Sequence, residues 1–300
     1  MSASLGLLVL WPRTATAETI TDPRSLALGG SLRAAPTGAS ALFLNPAGMA
    51  LVRSYQITAF YDFHIRKNGH VAHSSVVDSV ASKWVCAGLY YNLLIMRPDV
   101  FERGQQKKLS LKQDGHETGI ALAVPLGSRF SIGATVKYIY YKARVDMPGA
   151  EGEGSTEHTV DKISNVGMDV GILVRITEGL SVGVTGMNLV PQKSIYSPMS
   201  MGMGVAYGYK STFLAAFDVL LDFSSKESVT VDIHGGAELF LGGKYAIRVG
   251  TMHKGLLGAT YLTAGFGYIN PKAGVDIFLV QQVDRGVETR IGFGIKLFVK

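Results

Sequence analysis

Residues 288–299 read Glu-Thr-Arg-Ile-Gly-Phe-Gly-Ile-Lys-Leu-Phe-Val. Thr289, Ile291, Phe293, Ile295, Leu297 and Val299 fall on one face of an extended chain, and Glu288, Arg290, Gly292, Gly294 and Lys296 on the other. A period of two predicts a strand with one apolar side. The same alternation recurs upstream. Val229, Val231, Ile233, Ala237 and Leu239 oppose Asp232, His234 and Glu238. Val166, Met168, Val170, Ile172, Val174 and Ile176 oppose Asp169 and Arg175. Ile132, Ala134, Val136, Tyr138 and Tyr140 oppose Ser131, Thr135 and Lys137. One such strand fits any sheet protein, so the number of repeats decides the fold.

Strand and turn signals give fourteen segments: 55–66, 70–79, 83–94, 114–125, 129–145, 164–176, 179–190, 199–209, 211–222, 228–240, 243–252, 259–270, 273–284 and 287–300. Most are longer than the five or six residues of an average soluble strand, and close to the roughly 9–11 that cross a bilayer at a tilt. In 273–284, Phe278 and Val280 place apolar groups on the second face as well. Past the Asn68-Gly69 hairpin every second connection is very short: Gly127-Ser128, Thr177-Glu178, Lys210, Gly242 and Pro271-Lys272. The alternate connections include the two longest, 95–113 and 146–163. An even strand number with short turns at one end and longer loops at the other is the pattern of a bacterial outer-membrane barrel. In hydrocarbon every backbone N–H and C=O needs an internal partner, so the sheet must close on itself.

Composition agrees. Charged residues make up 17% of the chain, against about 25% in soluble domains. Glycine supplies 36 of 300 residues, where about 7% is average. Mean hydropathy is +0.22, yet no run of about 20 apolar residues offers a membrane helix. The single cysteine, Cys86, excludes an intrachain disulfide framework. The net charge of +6 is dispersed with no basic stripe, so nucleic acid is not an expected partner. Tyr55, Tyr61, Phe63, Tyr90, Tyr91, Tyr138, Tyr140, Tyr207, Tyr209, Tyr261 and Tyr268 lie near strand ends, as interfacial girdles would. Leu5 to Trp11 form a short apolar run before Ala15-Thr16-Ala17, which predicts a signal peptide over 1–17 cleaved after Ala17.

Residues 18–54 do not alternate. They contain Leu28-Gly29-Gly30 and then Ala39-Ser40-Ala41-Leu42-Phe43-Leu44-Asn45-Pro46-Ala47-Gly48-Met49-Ala50. Asn-Pro and Ala-Gly are turn formers with small flanks, which suggests a compact hairpin or short helix tucked inside the barrel. This stretch is similar to the N-terminal signature of FadL-like outer-membrane proteins, which include long-chain fatty-acid transporters and PorV/PorQ-type barrels. The stretches 169–189, 235–251 and 265–278 resemble hairpins of the PorV-type branch, so the resemblance spans nearly the whole chain from residue 18. It implies an all-β, fourteen-stranded antiparallel transmembrane barrel over 55–300 in the bacterial outer membrane, its lumen plugged by 18–54. By the same resemblance Gly29 and Gly30 form the first turn of the plug, and Asn45, Pro46, Ala47 and Gly48 sit within it. Pro36-Thr37-Gly38 stands where the family often has an acidic residue.

The search for catalytic or metal sites yields little. His64 and His73 are expected to face each other across the first hairpin, near His70 and Asp62, without an assured third ligand. His234, Asp232 and Glu238 share an inward face and resemble an acid–base group. Asp169, Arg175, Asp232, His234, Glu238, Arg248, Arg290 and Lys296 are read instead as polar lumen residues that pair with one another. Asp146, Glu151, Glu153, Glu157 and Asp161 lack calcium-loop spacing and read as a solvated outer loop. Arg97, Arg103, Lys107 and Lys108 in 95–113 read as a mixed-charge loop, with contact to lipopolysaccharide phosphates or a partner as the alternative. No Gly-x-Ser-x-Gly elbow or nucleotide-binding glycine loop is present. The expected protein is therefore not an enzyme and has no cofactor or metal. Two functions fit it: passive transport of hydrophobic small molecules, which the resemblance implies, or a structural adaptor of a secretion or surface-motility complex. Its expected partners are outer-membrane lipid and either a hydrophobic small molecule or envelope proteins.

Overall fold

The computed structural model describes residues 20–101, 108–147, 156–190, 197–284 and 288–299. The predicted signal peptide lies outside these residues. The strands are β1 (Tyr55–His64), β2 (Gly69–Asp78), β3 (Cys86–Met96), β4 (Asp99–Phe101), β5 (Lys108–Leu126), β6 (Phe130–Met147), β7 (Thr156–Arg175), β8 (Leu180–Met187), β9 (Ser200–Tyr209), β10 (Phe213–Asp222), β11 (Thr230–Leu241), β12 (Tyr245–Lys254), β13 (Ala259–Ile269), β14 (Ala273–Gln282) and β15 (Thr289–Val299). Each pairs antiparallel with its neighbours. β1 meets β15 from Tyr55↔Val299 to His64↔Arg290, and β3 meets β5 from Cys86↔Ala123 to Met96↔Gln113. Those two seams close a fourteen-stranded barrel, with the short β4 added beside the end of β5. Among the described residues no helix is long and apolar enough to cross a membrane; the strands are the elements of crossing length.

The alternation of sequence becomes the two surfaces of the wall. Ile291, Phe293, Ile295, Leu297 and Val299 are 44–51% exposed on the outside, whereas Arg290 is 4% exposed within. Ile120, Leu122, Val136, Val249 and Ile277 continue the apolar outer surface around the barrel. A water-soluble protein would bury such side chains, so this band is the surface that meets lipid. The turns at one end are tight. Lys210 and Ser211 both have positive φ, as do Gly242 and Gly243, which suits two-residue hairpin turns.

The structure departs from the sequence expectation in two places. The connections 95–113 and 146–163 are partly strand: β5, β6 and β7 extend beyond the apolar band, and a register shift at Ala143/Arg144 bends the projecting ribbon. Asp146 and Glu157, read as loop acids, lie on it and pair with Lys112 and Arg144. Arg97, also read as loop, bonds Asp114 at its base. Arg103, Lys107, Glu151 and Glu153 lie outside the described residues. The extensions lose the outward hydrophobic signal because Lys112, Asp114, Lys142 and Lys162 take the outward positions, while Leu111, Tyr141 and Ala143 remain buried on the inward side. Tyr90 and Tyr261, read as girdle residues, point inward and are buried. Phe278 and Val280 also point inward, where they join an apolar cluster described below.

The candidate site inside the barrel

Residues 20–54 run inside the closed wall. Asp22 starts a short helix, α1 (Pro23–Ala27), by accepting from the Ser25 N–H through its side chain, with Pro23 in the first turn where a missing N–H costs nothing. Gly29 and Gly30 follow with φ of 69° and 78°. The chain then forms α2 (Ala39–Leu44) and a 3-10 turn, Pro46–Ala50, capped by the Asn45 side chain, which accepts from Ala47 N–H at 3.1 Å. Apolar side chains of this segment meet the wall on every side. Leu26 and Ala27 pack on Met252, Ala259, Tyr261, Phe278 and Val280; Leu28, Leu32 and Leu44 on Ala206 and Ala216; Leu42 and Met49 on Val77, Cys86, Tyr90 and Ala121. A segment touching strands all around a closed barrel can only lie within it. Leu26, Leu28, Leu32, Leu42, Leu44 and Met49 are each 2% exposed or less. Burial of such a side chain contributes about 1.5–3 kcal/mol.

The backbone of the segment is satisfied by hydroxyls of the wall. Ser131, Ser181, Thr185 and Thr263 donate to the carbonyls of Ala47, Ala34, Leu44 and Ala27 at 2.7–3.0 Å. Gly29 N–H donates to Thr263 Oγ1 at 3.0 Å, and its carbonyl accepts from His234 Nδ1 at 2.7 Å. Asn45 is fully buried and donates through Nδ2 to the carbonyls of Arg33 and Ile172, both at 3.0 Å. Pro46 and Ala47 lie so close to the wall that a Cβ at Gly133 would fall 2.6 Å from the Pro46 carbonyl carbon, and Gly48 abuts Pro36. Thus glycine in β6 allows the close approach of the turn.

Two ionic anchors hold the segment on the β9–β15 side. Arg33, 2% exposed, donates to Asp218 Oδ2 at 3.1 Å, and the same carboxylate oxygen accepts the Leu32 and Arg33 N–H groups at 2.9 Å. Arg24 makes a two-pronged contact with Glu238, at 2.7 and 3.0 Å. Glu238 also accepts from Arg248 at 2.5 Å; Arg248 reaches Asp276 at 2.6 Å, and Asp276 holds Lys296 at 2.7 Å. The result is a ladder of alternating charge across β11, β12, β14 and β15. Arg290 pairs with Asp62, and Asp169 accepts Lys137 Nζ and the Asn188 N–H, both at 2.7 Å.

The remaining predicted positions separate. Asp232 accepts from Gly255 N–H at 2.8 Å near a strand end, while His234 and Glu238 each serve the inner segment, so the three form no acid–base group. Arg175 is half-buried, lines the cavity below the segment, and makes no ion pair among the described residues. His64 and His73 do not face each other: His64 lies opposite Gly69 and contacts Asp62 and Glu288, whereas His73 lies opposite Phe60 and stacks on it at 4.5 Å. His70 projects from the other surface, beside Tyr61 and Phe63. Sequence reasoning missed Arg24, Arg33, Asp218 and Asp276, and placed Asp62 only beside the histidines, without its Arg290 partner. Asp62 and Asp276 stand on inward positions of their strands and were open to the same parity reading; nothing local marks Arg24, whose partner is 214 residues away.

The two sides of the segment differ. Toward the long connections, Ile20, Phe43 and Leu94 cover a cluster of Phe60, Val71 and Met96, with Phe43 also against Tyr90 at 5.6 Å and His73 at 4.9 Å. Toward the short turns lies a cavity of about 1440 Å3, bounded by Arg175, Lys210, Leu214, Phe240, Lys296 and Phe298 among others.

Fold and interior together define a membrane-embedded β-barrel whose lumen is occupied by its own N-terminal segment. Its architecture is that of FadL-like hydrocarbon channels. It is similar to the CymD monoaromatic hydrocarbon channel, with a TM-score of 0.71 at 14% identity over 94% of this chain and 99% of that one. A TodX mutant monoaromatic hydrocarbon channel gives 0.70 at 12% identity, covering 95% and 99%. A Pseudomonas aeruginosa FadL homologue gives 0.67 at 11% identity, covering 94% and 99%. No protein-family profile and no curated protein matches the sequence.

Proposed function

We propose that this protein is a bacterial outer-membrane channel through which hydrophobic small molecules pass without energy input, and that residues 18–54, following a signal peptide, are its plug. The short turns then face the periplasm and the long connections face outward. The observation that carries the proposal is the arrangement around Phe43. An apolar patch of Ile20, Phe43 and Leu94 lies on the outer side of the plug, with the 1440 Å3 cavity beneath it. A hydrophobic molecule arriving from outside would replace water on that patch, a favourable step roughly proportional to the apolar area covered. The likeness in fold to hydrocarbon channels supports this reading.

A second reading, a structural adaptor of a secretion or motility complex, follows from the resemblance to PorV-type barrels. It is favoured by Arg24–Glu238 and Arg33–Asp218, which tie the segment to the wall as a permanent part would be tied. Affinity isolation of the tagged protein from native membranes in mild detergent, with proteins and lipids both identified by mass spectrometry, separates the two. A lone barrel carrying a discrete hydrophobic molecule supports the channel. Stoichiometric protein partners without such a molecule would sink it.

A further inference from the structure

The apolar outer surface of β6 runs through Ile132, Ala134, Val136, Tyr138 and Tyr140, and the next outward residue is Lys142. Phe130 to Tyr140 is one crossing length, about 9–11 residues of tilted strand, so Lys142 is the first outward side chain beyond the hydrocarbon. On β7 the outward series climbs through Ile172, Val170, Met168, Val166 and Ser164 to Lys162. The register places Lys142 directly opposite Lys162. Two like charges in direct cross-strand opposition destabilise a sheet, and they persist here although acids are close.

Those acids are committed elsewhere. Asp114 holds Arg97 and Arg144, Glu157 holds Arg144, and Asp146 holds Lys112. Among the described residues the outward surface of this ribbon therefore carries Arg97, Lys112, Lys142, Arg144 and Lys162 against Asp114, Asp146 and Glu157; Lys142 and Lys162 make no ion pair among them, although Asp114 lies opposite Lys142 on β5. Immediately below, Tyr91 and His116 join through a 2.7 Å hydrogen bond, His116 lies 6.0 Å from the Tyr140 ring, and Tyr138 bonds Ser164 at 2.9 Å. An aromatic shelf at the membrane boundary, with two ammonium groups above it that make no ion pair among the described residues, matches a lipid with acyl chains below and phosphate above.

We propose that Lys142 and Lys162, above the Tyr91–His116–Tyr140 shelf, bind the phosphate of a phosphorylated glycolipid in the outer leaflet. The proposal rests on the outward orientation of the long connections and is independent of what passes through the lumen. The phosphate neutralises the lysine pair, and the shelf packs on the head of the lipid.

The test is titration of the refolded full-length barrel in zwitterionic detergent with bisphosphorylated lipid A, dephosphorylated lipid A and inorganic phosphate, read by native mass spectrometry. Lys142→Gln/Lys162→Gln is expected to weaken binding of the bisphosphorylated lipid roughly 30-fold, as loss of two lysines at an anionic lipid surface implies. Lys142→Arg/Lys162→Arg retains it, and Lys244→Gln/Lys272→Gln at the opposite rim leaves it unchanged. Without lipid the glutamine pair folds at least as stably as the parent, because cross-strand repulsion is relieved. Equal affinity of the glutamine pair, equal binding of the dephosphorylated lipid, or displacement of the lipid by millimolar inorganic phosphate would each overturn the assignment. Hydrophobic uptake in the glutamine pair stays at the parent level, which keeps this test separate from that of the channel.

Discussion

Replacement of Asp218 by Ala removes one carboxylate oxygen that serves three donors: the N–H groups of Leu32 and Arg33 and the Arg33 guanidinium, at 2.9, 2.9 and 3.1 Å. Both ionic partners are almost fully buried, at 2% and 0% side-chain exposure. Removing one member of a buried pair leaves an uncompensated charge and costs about 3–5 kcal/mol. Asp218 faces the inner segment, so the cost falls on its docking and not on the ladder hydrogen bonds of β10. Asp218→Ala should therefore assemble a closed barrel, seen as the usual shift in gel mobility on heating, while the amides of residues 28–36 exchange faster with deuterated solvent. At 1.4 kcal/mol per factor of ten, about 3–5 kcal/mol corresponds to an acceleration of roughly two to three and a half orders of magnitude. Asp218→Ala combined with Arg33→Met removes both charges and should recover part of the protection, because replacing a buried pair by apolar groups is often nearly neutral. Unchanged exchange over 28–36 in the single variant would refute the claim that this pair anchors the segment.

Other consequences follow from the same geometry. Val249→Arg places a charge on the lipid-facing surface of β12, where Val249 is 57% exposed, and should lower the unfolding free energy in bilayers by about 2–4 kcal/mol, measured by urea titration. Gly133→Val inserts a side chain against Pro46 and Ala47; overpacking of about 1–3 kcal/mol should loosen the segment, checked by exchange at residues 44–50. Thr263→Val strands both Gly29 N–H and the Ala27 carbonyl and should cost about 1–3 kcal/mol, read as faster exchange at Gly29 with the barrel intact.

The barrel was legible because lipid and lumen impose opposite demands on alternate residues, as Ile291 and Arg290 show within two positions. Legibility failed wherever the environment of a face changed. Phe278 and Val280 broke the alternation because α1 makes that part of the lumen apolar. Tyr90 and Tyr261 looked like girdle residues because parity, which turns them inward, was outweighed by residue type. The outer ends of β5 and β7, residues 108–113 and 156–163, fell into the connections because Lys112 and Lys162 face water where an apolar stripe would have continued. Inside, Glu238, Arg248 and Lys296 were recognised as inward charges, but their order along the ladder depends on Asp276 and on Arg24. A contact spanning 214 residues leaves no local trace in a single sequence.

Passage of hydrophobic molecules through the barrel, around or beneath its inner segment, is the function proposed. It is tested most directly by uptake of a labelled hydrophobic solute into asymmetric vesicles with lipopolysaccharide outside and phospholipid inside, since the lipopolysaccharide leaflet makes unaided entry slow. Faster uptake by vesicles containing the protein, without any energy source and reduced by Phe43→Arg on the outer patch, is the predicted result. Uptake no faster than in protein-free vesicles would contradict it.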